Sequence, residues 1–209
     1  MIKARESKER VTQMIIWLNG PVGVGKNVIA YELNRRLNGS ILYRPDNIGA
    51  LLKKQLPAEL LLDNFQDYPE WRQWNYQLLR KISLQTKQTV IVPMRLANAN
   101  YFDEIIGKLQ AEQIDVRHYT LTASPEVLKK RLQKRGDLHN QFMLSKIQGH
   151  EADDPEIEFP TILDTSELTV PEIAEQIAKD CALRIKPAMK NKYAQGAVNF
   201  GDMIRSKWN

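Results

Sequence analysis

An eight-residue run near the N-terminus has the residue types and the spacing needed to hold a phosphate group. Three glycines allow backbone conformations that a side chain would forbid, so that successive N–H groups turn inward and form a nest for an anion. A lysine follows the last glycine, where its ammonium group can reach the outer phosphates of a nucleotide. The run consists of Gly20, Pro21, Val22, Gly23, Val24, Gly25, Lys26 and Asn27.

The flanking residues supply the strand and the helix that such a loop requires. The apolar segment 14–19 precedes it and predicts a buried strand, while apolar residues recur at helical spacing after it. A Gly-rich turn with a surface lysine is the alternative, and the strand–loop–helix context favours a phosphate-binding loop, or P-loop. The expected cofactor is ATP or GTP, because residues that read the base are not recognisable in the sequence.

The last residue of the loop departs from the usual pattern. A Ser or Thr hydroxyl normally binds magnesium at this position, and Asn27 offers an amide carbonyl oxygen instead. The third predicted strand also ends without an acidic residue, at 92–95. We therefore expect Mg²⁺ to accompany the nucleotide, with weaker coordination by the protein.

In a parallel sheet, ligands bind at the carboxyl ends of the strands. Asp46 follows the predicted second strand, where it could accept the proton of an acceptor hydroxyl or hold magnesium through a water molecule. The alternative is that Asp46 caps the N-terminus of a helix that begins near Asn47. Three roles stay open for Arg44: it binds an anionic acceptor, lowers the pKa of Asp46, or faces solvent.

Two arginines predict a lid over the transferring phosphate. Arg131 and Arg135 are four residues apart, so they share one face of a predicted helix between the fourth and fifth strands. Their charge would balance that of a phosphoryl group in transfer. The alternative is an ordinary solvated basic face.

Aromatic residues are dense between positions 65 and 76. Helical periodicity assigns Trp71 and Trp74 to the core, whereas Phe65 and Tyr68 are expected to be exposed and to stack on a base or line an acyl groove. Arg95 lies where the third strand ends. The predicted substrate-binding residues are thus Arg44, Asp46, Phe65, Tyr68 and Arg95.

Strand-like and helix-like patterns alternate along the chain, which predicts an α/β fold with a parallel sheet. Together with the loop, they indicate a P-loop NTPase of the nucleotide-kinase type, with a five-stranded parallel sheet flanked by helices. The predicted strands lie at 14–19, 40–43, 90–92, 116–121 and 161–164, and the main helical segments at 51–85, 101–111, 124–135 and 170–183.

Length and composition predict one domain with short appendages. With 209 residues the chain can bury a sizeable core. Residues 1–13 are expected to form an N-terminal extension, 14–183 the kinase-like domain, and 184–209 a basic tail. The tail has six basic residues and one acidic residue and so accounts for the whole net charge of +5. No run of about 18 apolar residues predicts a membrane span. The single cysteine fits a cytoplasmic location.

The tail has apolar residues at three- and four-residue steps beside basic ones. As a helix it would be amphipathic and could bind an anionic membrane surface peripherally. The alternatives are a solvated tail and a helix packed back on the domain. No nucleic-acid-binding motif accompanies the basic residues, so no nucleic-acid partner is predicted. The apolar positions are Tyr193, Ala197, Phe200, Ile204 and Trp208.

Several segments together resemble the tunicamycin-resistance ATP-binding proteins, a family of P-loop, kinase-like proteins. The resemblance runs from Met14 to about Ala182. It rests on MIIWLNG and GKN within 14–27, ELNRRLN at 32–38, Y-x-P-x-x-x-G at 43–49, NFQDYPEWRQWNYQLL at 64–79, IVPM at 91–94 and YFDEIIGKL at 101–109.

The resemblance implies ATP binding at the loop, the fold of nucleotide and small-molecule kinases, and protection against a lipid-linked nucleoside antibiotic. It also implies peripheral membrane attachment through a C-terminal amphipathic helix. Two positions depart from the family pattern: Asn27 replaces the usual Thr, and Arg44 replaces the usual Asp, while Asp46 retains an acid two residues later.

Three functions therefore stay open. The first is an ATP-dependent phosphotransferase that acts on a hydroxyl of a small molecule, with Lys26, Asp46, Arg131 and Arg135 as catalytic residues. The second is a protein that sequesters the antibiotic unchanged and uses the nucleotide as a structural ligand. The third is a nucleotide-gated interaction protein at the membrane, anchored by its tail.

Overall fold

The computed structural model describes residues 13–135 and 161–189. Within these ranges, five parallel strands form one sheet in the order β2-β3-β1-β4-β5. The α/β fold and the five-stranded parallel sheet predicted from the sequence are confirmed. The strands are β1 (Ile15–Asn19), β2 (Ser40–Leu42), β3 (Thr89–Pro93), β4 (Val116–Thr122) and β5 (Thr161–Asp164).

β1 occupies the centre of the sheet, and all of its residues are buried. Its Ile15 pairs with Val90 of β3 on one side and with Val116 of β4 on the other. A strand covered on both faces needs a continuous apolar run rather than alternation, and β1 and β3 both have one. The chain therefore leaves β1 between the carboxyl ends of two neighbouring strands, where the P-loop begins.

Helices cover both faces of the sheet. They are α1 (Lys26–Arg36), α2 (Pro45–Gln55), α3 (Pro69–Gln85), α4 (Ala99–Phe102 and Lys108–Ala111, joined by a π-helical turn at Asp103–Gly107), α5 (Pro125–Arg135) and α6 (Val170–Asp180). Short 3₁₀ turns at Ala58–Leu60 and Phe65–Asp67 connect α2 to α3. Among the described residues, no helix is long and apolar enough to cross a bilayer.

Alternate residues of β1 belong to two separate cores. Ile16 joins the core formed with α1, α5 and α6, whereas Trp17 joins the core formed with α2, α3 and α4. This division follows from the strand period of two, which sends successive side chains to opposite faces. The P-loop helix and the helix that follows β2 thus lie on opposite faces of the sheet.

The long helical segment predicted at 51–85 differs from the observed helices in two ways. α2 already begins at Pro45, a residue well suited to the first position of a helix. In α3, Trp71 is buried as predicted, but Trp74 is exposed, so its assignment to the core was wrong. The buried face continues through Asn75 and Leu79, because residues four apart lie on the same side of a helix.

The C-terminal end of the described chain packs against α1. Arg36 is buried and pairs with Glu175 of α6 at 2.7 Å and with Glu32 at 3.5 Å. Its backbone carbonyl accepts from Lys186 N, and its Nε donates to Lys186 O at 2.7 Å. The chain thus stays attached to the domain through Lys186. The predicted amphipathic stripe of the tail lies outside the described residues.

Candidate active site

The P-loop follows β1 directly and has the backbone geometry of an anion nest. Gly20, Gly23 and Gly25 have φ angles of 129°, 86° and 107°, in the region that L side chains rarely adopt. The loop is also tightly packed at its start, since a Cβ on Gly20 would lie 2.3 Å from the carbonyl oxygen of Leu121 in β4. A side chain at this position would therefore displace the loop from the sheet.

The first turn of α1 has no side-chain cap and no acidic residue. Gly25 is the N-cap residue and makes no side-chain capping bond, and the first turn contains no acidic residue. Unpaired N–H groups and the helix dipole together attract an anion at this end of a helix. The nest and the helix therefore point to the same ligand, a phosphate group.

The ammonium group of Lys26 lies across the beginning of the loop. Its Nζ donates to the carbonyl oxygens of Gly20 at 2.7 Å and Pro21 at 2.9 Å. These bonds hold the lysine over the nest rather than in solvent. The surface-lysine alternative is therefore not what the structure shows.

A buried asparagine braces the loop against the end of β3. Asn19 Oδ1 accepts from Gly20 N at 2.8 Å and from Leu96 N at 3.1 Å, and its Nδ2 donates to Leu96 O at 2.8 Å. Asn19 is fully buried. Sequence reasoning missed this role, although a polar residue at the end of an apolar strand was a visible signal.

Arg131 connects α5 to the middle of the P-loop and to the end of β5. Its Nη1 donates to Val24 O at 3.1 Å and to Thr165 Oγ1 at 2.8 Å, and its Nη2 donates to Thr165 O at 2.6 Å. Partial burial lowers the pKa of Arg131, while the nearby Asp164 acts in the opposite direction. In this conformation the guanidinium locks the loop, so a lid role requires it to exchange these bonds for phosphate oxygens.

Thr165 is a second residue whose role the sequence did not reveal. It is buried, and its hydroxyl lies 3.0 Å from Thr122 O and 3.2 Å from Val24 O. Thr165 directly follows the last residue of β5. Arg135 is the last residue of α5, and its side chain lies outside the described part of the chain.

Asp46 lies in the first turn of α2, directly after β2. Burial raises the pKa of its carboxyl group, whereas the charges of Arg44 and Lys26 lower it. The influence of Lys26 places the carboxyl near the P-loop lysine, although the two residues belong to helices on opposite faces of the sheet. The alternative that Asp46 caps the helix is wrong, because Arg44 occupies the N-cap position and no side chain caps α2.

Of the three roles left open for Arg44, the structure supports a charge that acts on Asp46. Its guanidinium is half-buried, and Nη1 donates to the hydroxyl of Tyr31 in α1 at 3.1 Å. This bond reaches from the end of β2 to the helix that follows the P-loop. Arg44 is thereby held at the rim of the site and does not simply face solvent.

The two aromatic residues predicted to be exposed, Phe65 and Tyr68, are both at least partly buried. Tyr68 is buried, and its hydroxyl accepts from Leu62 N at 2.6 Å and donates to Leu60 O at 3.0 Å. Phe65 is half-buried, with its ring 5.3 Å from that of Trp71. The prediction failed because the chain between α2 and α3 folds over both rings.

Arg95 lies in the half-buried loop after β3, at the same edge of the sheet as the P-loop. Its carbonyl oxygen accepts from Gln66 Nε2 at 2.6 Å. Since β2 and β3 are neighbours, with Leu42 opposite Ile91, the ends that carry Asp46 and Arg95 flank one crevice. The structure thus places Lys26, Arg44, Asp46 and Arg95 at one edge of the sheet.

The donor set available to Mg²⁺ is small. Asn27 lies in the first turn of α1 and is half-buried, and its amide oxygen is a ligand type that Mg²⁺ accepts. Among the described residues, no group of three or more His, Cys, Asp or Glu could hold a metal ion by itself. The residues therefore fit an ion held chiefly by nucleotide phosphates, with Asn27 and, through water, Asp46 as protein partners.

The strand order, the P-loop and the crevice at the carboxyl edge define a P-loop protein of the kinase type. Residues 16–153 match the sequence profile of the family described as an AAA domain. Because this match covers more than half of the sequence, the chain belongs to the AAA domain family. No curated protein matches the chain significantly.

Among solved structures, the chain is similar to the tunicamycin resistance protein of Deinococcus radiodurans. The two are 29% identical, with a TM-score of 0.67, over 84% of this chain and 99% of that chain. This similarity confirms the resemblance given by the sequence motifs.

Two kinases share the fold at lower identity. A sugar kinase from Janibacter sp. HTCC2649 is 19% identical, with a TM-score of 0.54, over 82% of this chain and 95% of its own. The APS kinase of Mycobacterium tuberculosis, solved in complex with AMPPNP and APS, is 15% identical, with a TM-score of 0.56, over 82% and 98%. These similarities establish the P-loop kinase type of fold.

Proposed function

We propose that this protein is an ATP-dependent phosphotransferase that acts on a hydroxyl group of a small molecule. The observation that carries the proposal is the meeting of two groups at one edge of the sheet. Lys26 belongs to the phosphate nest, and its charge acts on the carboxyl of Asp46, a residue from a different strand end. A phosphate-binding cation beside a partly buried carboxylate is what phosphoryl transfer to a hydroxyl requires.

The chemical step follows from this arrangement. The acceptor oxygen attacks the γ-phosphorus, and the bond from that phosphorus to the β–γ bridging oxygen breaks. Asp46 takes the proton from the acceptor hydroxyl, and the electron pair of the broken bond leaves on ADP. Burial raises the pKa of Asp46, which makes its carboxylate a stronger base than an exposed one.

The remaining residues bind and orient the reactants. The loop amides and Lys26 hold the phosphates, and Mg²⁺, when bound, would neutralise charge on the transferring group. Arg131 and Arg135 supply the proposed lid, with Arg131 starting from its bonds to the P-loop and Thr165. Arg44 and Arg95 border the acceptor side of the crevice, together with the ring of Phe65.

We propose a nucleoside antibiotic of the tunicamycin type as the acceptor. The support is the similarity to the Deinococcus radiodurans tunicamycin resistance protein, which extends over 99% of that chain. A sugar kinase and an APS kinase share the fold, so this scaffold accommodates small-molecule acceptors. The antibiotic has hydroxyl groups in its sugars, which are acceptors of the required type.

The experiment combines mass spectrometry with a tolerance assay. Tunicamycin incubated with the protein, ATP and Mg²⁺ should gain the mass of one phosphate group, and expression should raise the tolerance of a sensitive host. Lys26→Ala should abolish both effects. Lys54→Ala, an exposed lysine in the last turn of α2, is the matched control and should abolish neither.

A second candidate, sequestration of intact antibiotic, is favoured by Asn27. An amide in place of the magnesium-binding hydroxyl would slow transfer without preventing nucleotide binding. Under this alternative the antibiotic is recovered unchanged, and calorimetry shows stoichiometric binding that depends on nucleotide. Tolerance conferred with no phosphorylated product would therefore replace the first proposal with this one.

A further inference from the structure

The turn between β2 and α2 is held by side chains that the proposed reaction does not use. This turn carries Arg44 and Asp46, the two residues of the acceptor side that precede and begin α2. It has only a short strand behind it, since β2 spans three residues. Its position must therefore come from tertiary contacts, and these contacts come largely from α3.

Trp71 is the first of these contacts. Its indole ring is fully buried, and Nε1 donates to the backbone carbonyl of Pro45 at 3.0 Å. Pro45 is the residue immediately before Asp46. This hydrogen bond to the first residue of α2 fixes the position of the N-terminus of α2 relative to α3.

Asn75 lies one helical turn further along α3 and reaches the other side of the same turn. Its Oδ1 accepts from the hydroxyl of Tyr43 at 2.8 Å, and its Nδ2 donates to Trp71 O at 2.7 Å. Asn75 is also fully buried. Tyr43 and Pro45, which flank Arg44, are thus both bonded to α3.

Phe65 completes the arrangement from the linker between α2 and α3. Its ring lies 5.3 Å from the ring of Trp71 and packs directly on Gly49 of α2. A Cβ at Gly49 would approach Phe65 Cγ to 2.6 Å, so the glycine is needed for this contact. The first turns of α2 are therefore covered by an aromatic pair.

We infer that Trp71 and Asn75 form a clamp, the α3 clamp, whose role is to position Asp46 for proton transfer. The inference deepens the proposed function and rests on Asp46 being its base. It gives the dense aromatic block a positioning role in place of a ligand-stacking one. The clamp residues do not touch the reacting atoms, because they act through the side chain of Tyr43 and the backbone of Pro45.

The clamp makes a prediction that a merely structural contact does not. When the bond to Pro45 is lost, the start of α2 can move away from the sheet and water can reach Asp46. The backbone amides in the first turns of α2 would then exchange faster with solvent, because locally opened segments lose protection. Hydrogen exchange at residues 47–50 therefore reports the position of the turn.

Trp71→Phe tests the clamp, because it keeps an aromatic ring and removes only the donor. The position of the turn can be followed by hydrogen exchange at residues 47–50. We expect exchange there to be about fivefold or more faster in Trp71→Phe, while exchange at residues 15–19 of β1 stays unchanged. Phosphoryl transfer should fall by about tenfold or more through kcat, while the ATP dissociation constant changes less than twofold.

Tyr43→Phe is the second variant, should Trp71→Phe fail to fold, and it should accelerate exchange at residues 47–50 and lower kcat in the same way. Trp74→Phe is the matched control, since Trp74 lies on the same helix, is 38% exposed and should change neither. A loss of thermal stability in Trp71→Phe and Tyr43→Phe with unchanged kcat would overturn the inference. If the wild-type protein transfers no phosphate but exchange at residues 47–50 still accelerates in both variants, the clamp on the turn is retained and the proposed function is rejected.

Discussion

At the scale of single residues, Asp46 combines two opposing electrostatic effects. Burial raises the pKa of its carboxyl group, while the positive charges of Arg44 and Lys26 lower it, and burial prevails. An acid whose pKa is raised in the folded state binds its proton more tightly when folded than when unfolded. Its stabilising contribution is therefore present at low pH and is lost as the pH rises above about 3.8, the ordinary value.

This balance predicts that Asp46→Asn stabilises the protein while it inactivates it. At pH 7 the variant should have the higher melting temperature, because it removes a buried carboxylate. This advantage should shrink as the pH falls through the raised folded pKa of Asp46 and should be gone below about 3.8. Phosphoryl transfer should fall by about 100-fold or more, since the base is lost. Calorimetric melting at several pH values checks the first part. A variant less stable than the wild type at pH 7 would contradict it.

Asn27 is the second residue with a clear experimental consequence. Asn27→Thr restores the hydroxyl that P-loops normally offer to magnesium. We expect half-maximal transfer at roughly tenfold lower Mg²⁺ concentration, in the range that changes around a metal typically produce. Nucleotide affinity measured without Mg²⁺ should stay the same, and this measurement is the internal control. An unchanged Mg²⁺ dependence would show that position 27 does not contact the ion.

At the scale of secondary-structure elements, the site depends on contacts between elements that are distant in sequence. Asn19 joins the P-loop to the end of β3, and Arg131 joins it to α5 and to the end of β5 through Thr165. Gly23 lies close to α5, where a Cβ would come within 3.3 Å of Leu132 Cγ. The P-loop is therefore held on both sides before any ligand binds, which reduces the entropy cost of binding.

Thr165→Val tests the hydrogen bonds that join the residue after β5 to the P-loop. The substitution keeps the shape of the side chain and removes a buried hydroxyl that bonds the P-loop, β4 and Arg131. We expect a loss of about 1–3 kcal/mol of unfolding free energy, since buried polar partners are left unpaired. ATP affinity should also fall. Thr161→Val makes the same chemical change at a half-buried position of β5 and should cost much less in denaturant unfolding.

At the scale of the whole molecule, a buried arginine joins the two ends of the kinase-like domain. Arg36 of α1 is 2% exposed and contacts Glu175, Pro171 and Lys186, which lie 135 or more residues away along the chain. An antiparallel bridge between Leu37 and Ile185 adds to this contact. The segment that leads into the basic tail is therefore attached to the face of the sheet opposite α3.

Arg36→Met should release this segment and destabilise the protein. The loss should be about 1–3 kcal/mol, because the carbonyl groups of Lys186 and Pro171 lose their donor. Of the two carboxylates, Glu175 is 53% exposed and Glu32 keeps its ion pair with Arg35, so neither is left buried without a partner. Hydrogen exchange should accelerate at residues 184–189, while Trp17 in the sheet should stay protected. Arg117→Met is the control, since it breaks an ion pair with Asp115 that is largely exposed, and it should cost about 0–1 kcal/mol. Equal losses in the two variants would contradict the prediction.

Sequence patterns were sufficient to predict the parallel sheet, its strands and the phosphate-binding loop. These features depend on local patterns, namely apolar runs, helical spacing and a fixed series of glycines. Such patterns can be recognised without knowing the rest of the fold. The positions of Lys26 and Asp46 at strand ends follow from the rule that ligands bind at the carboxyl edge of a parallel sheet. The resemblance to the tunicamycin-resistance proteins came from short motifs of the same local kind.

The contacts among polar and aromatic side chains could not be predicted without the three-dimensional fold. Tyr68 was predicted to be exposed and is buried, whereas Trp74 was predicted to be buried and is exposed. The linker between α2 and α3 covers the ring of Tyr68 and leaves the ring of Trp74 in solvent. Asn19, Arg131 and Thr165 acquire their roles from partners at least 34 residues away. Such contacts depend on how elements are placed in space, and a single sequence carries no local signal for that placement.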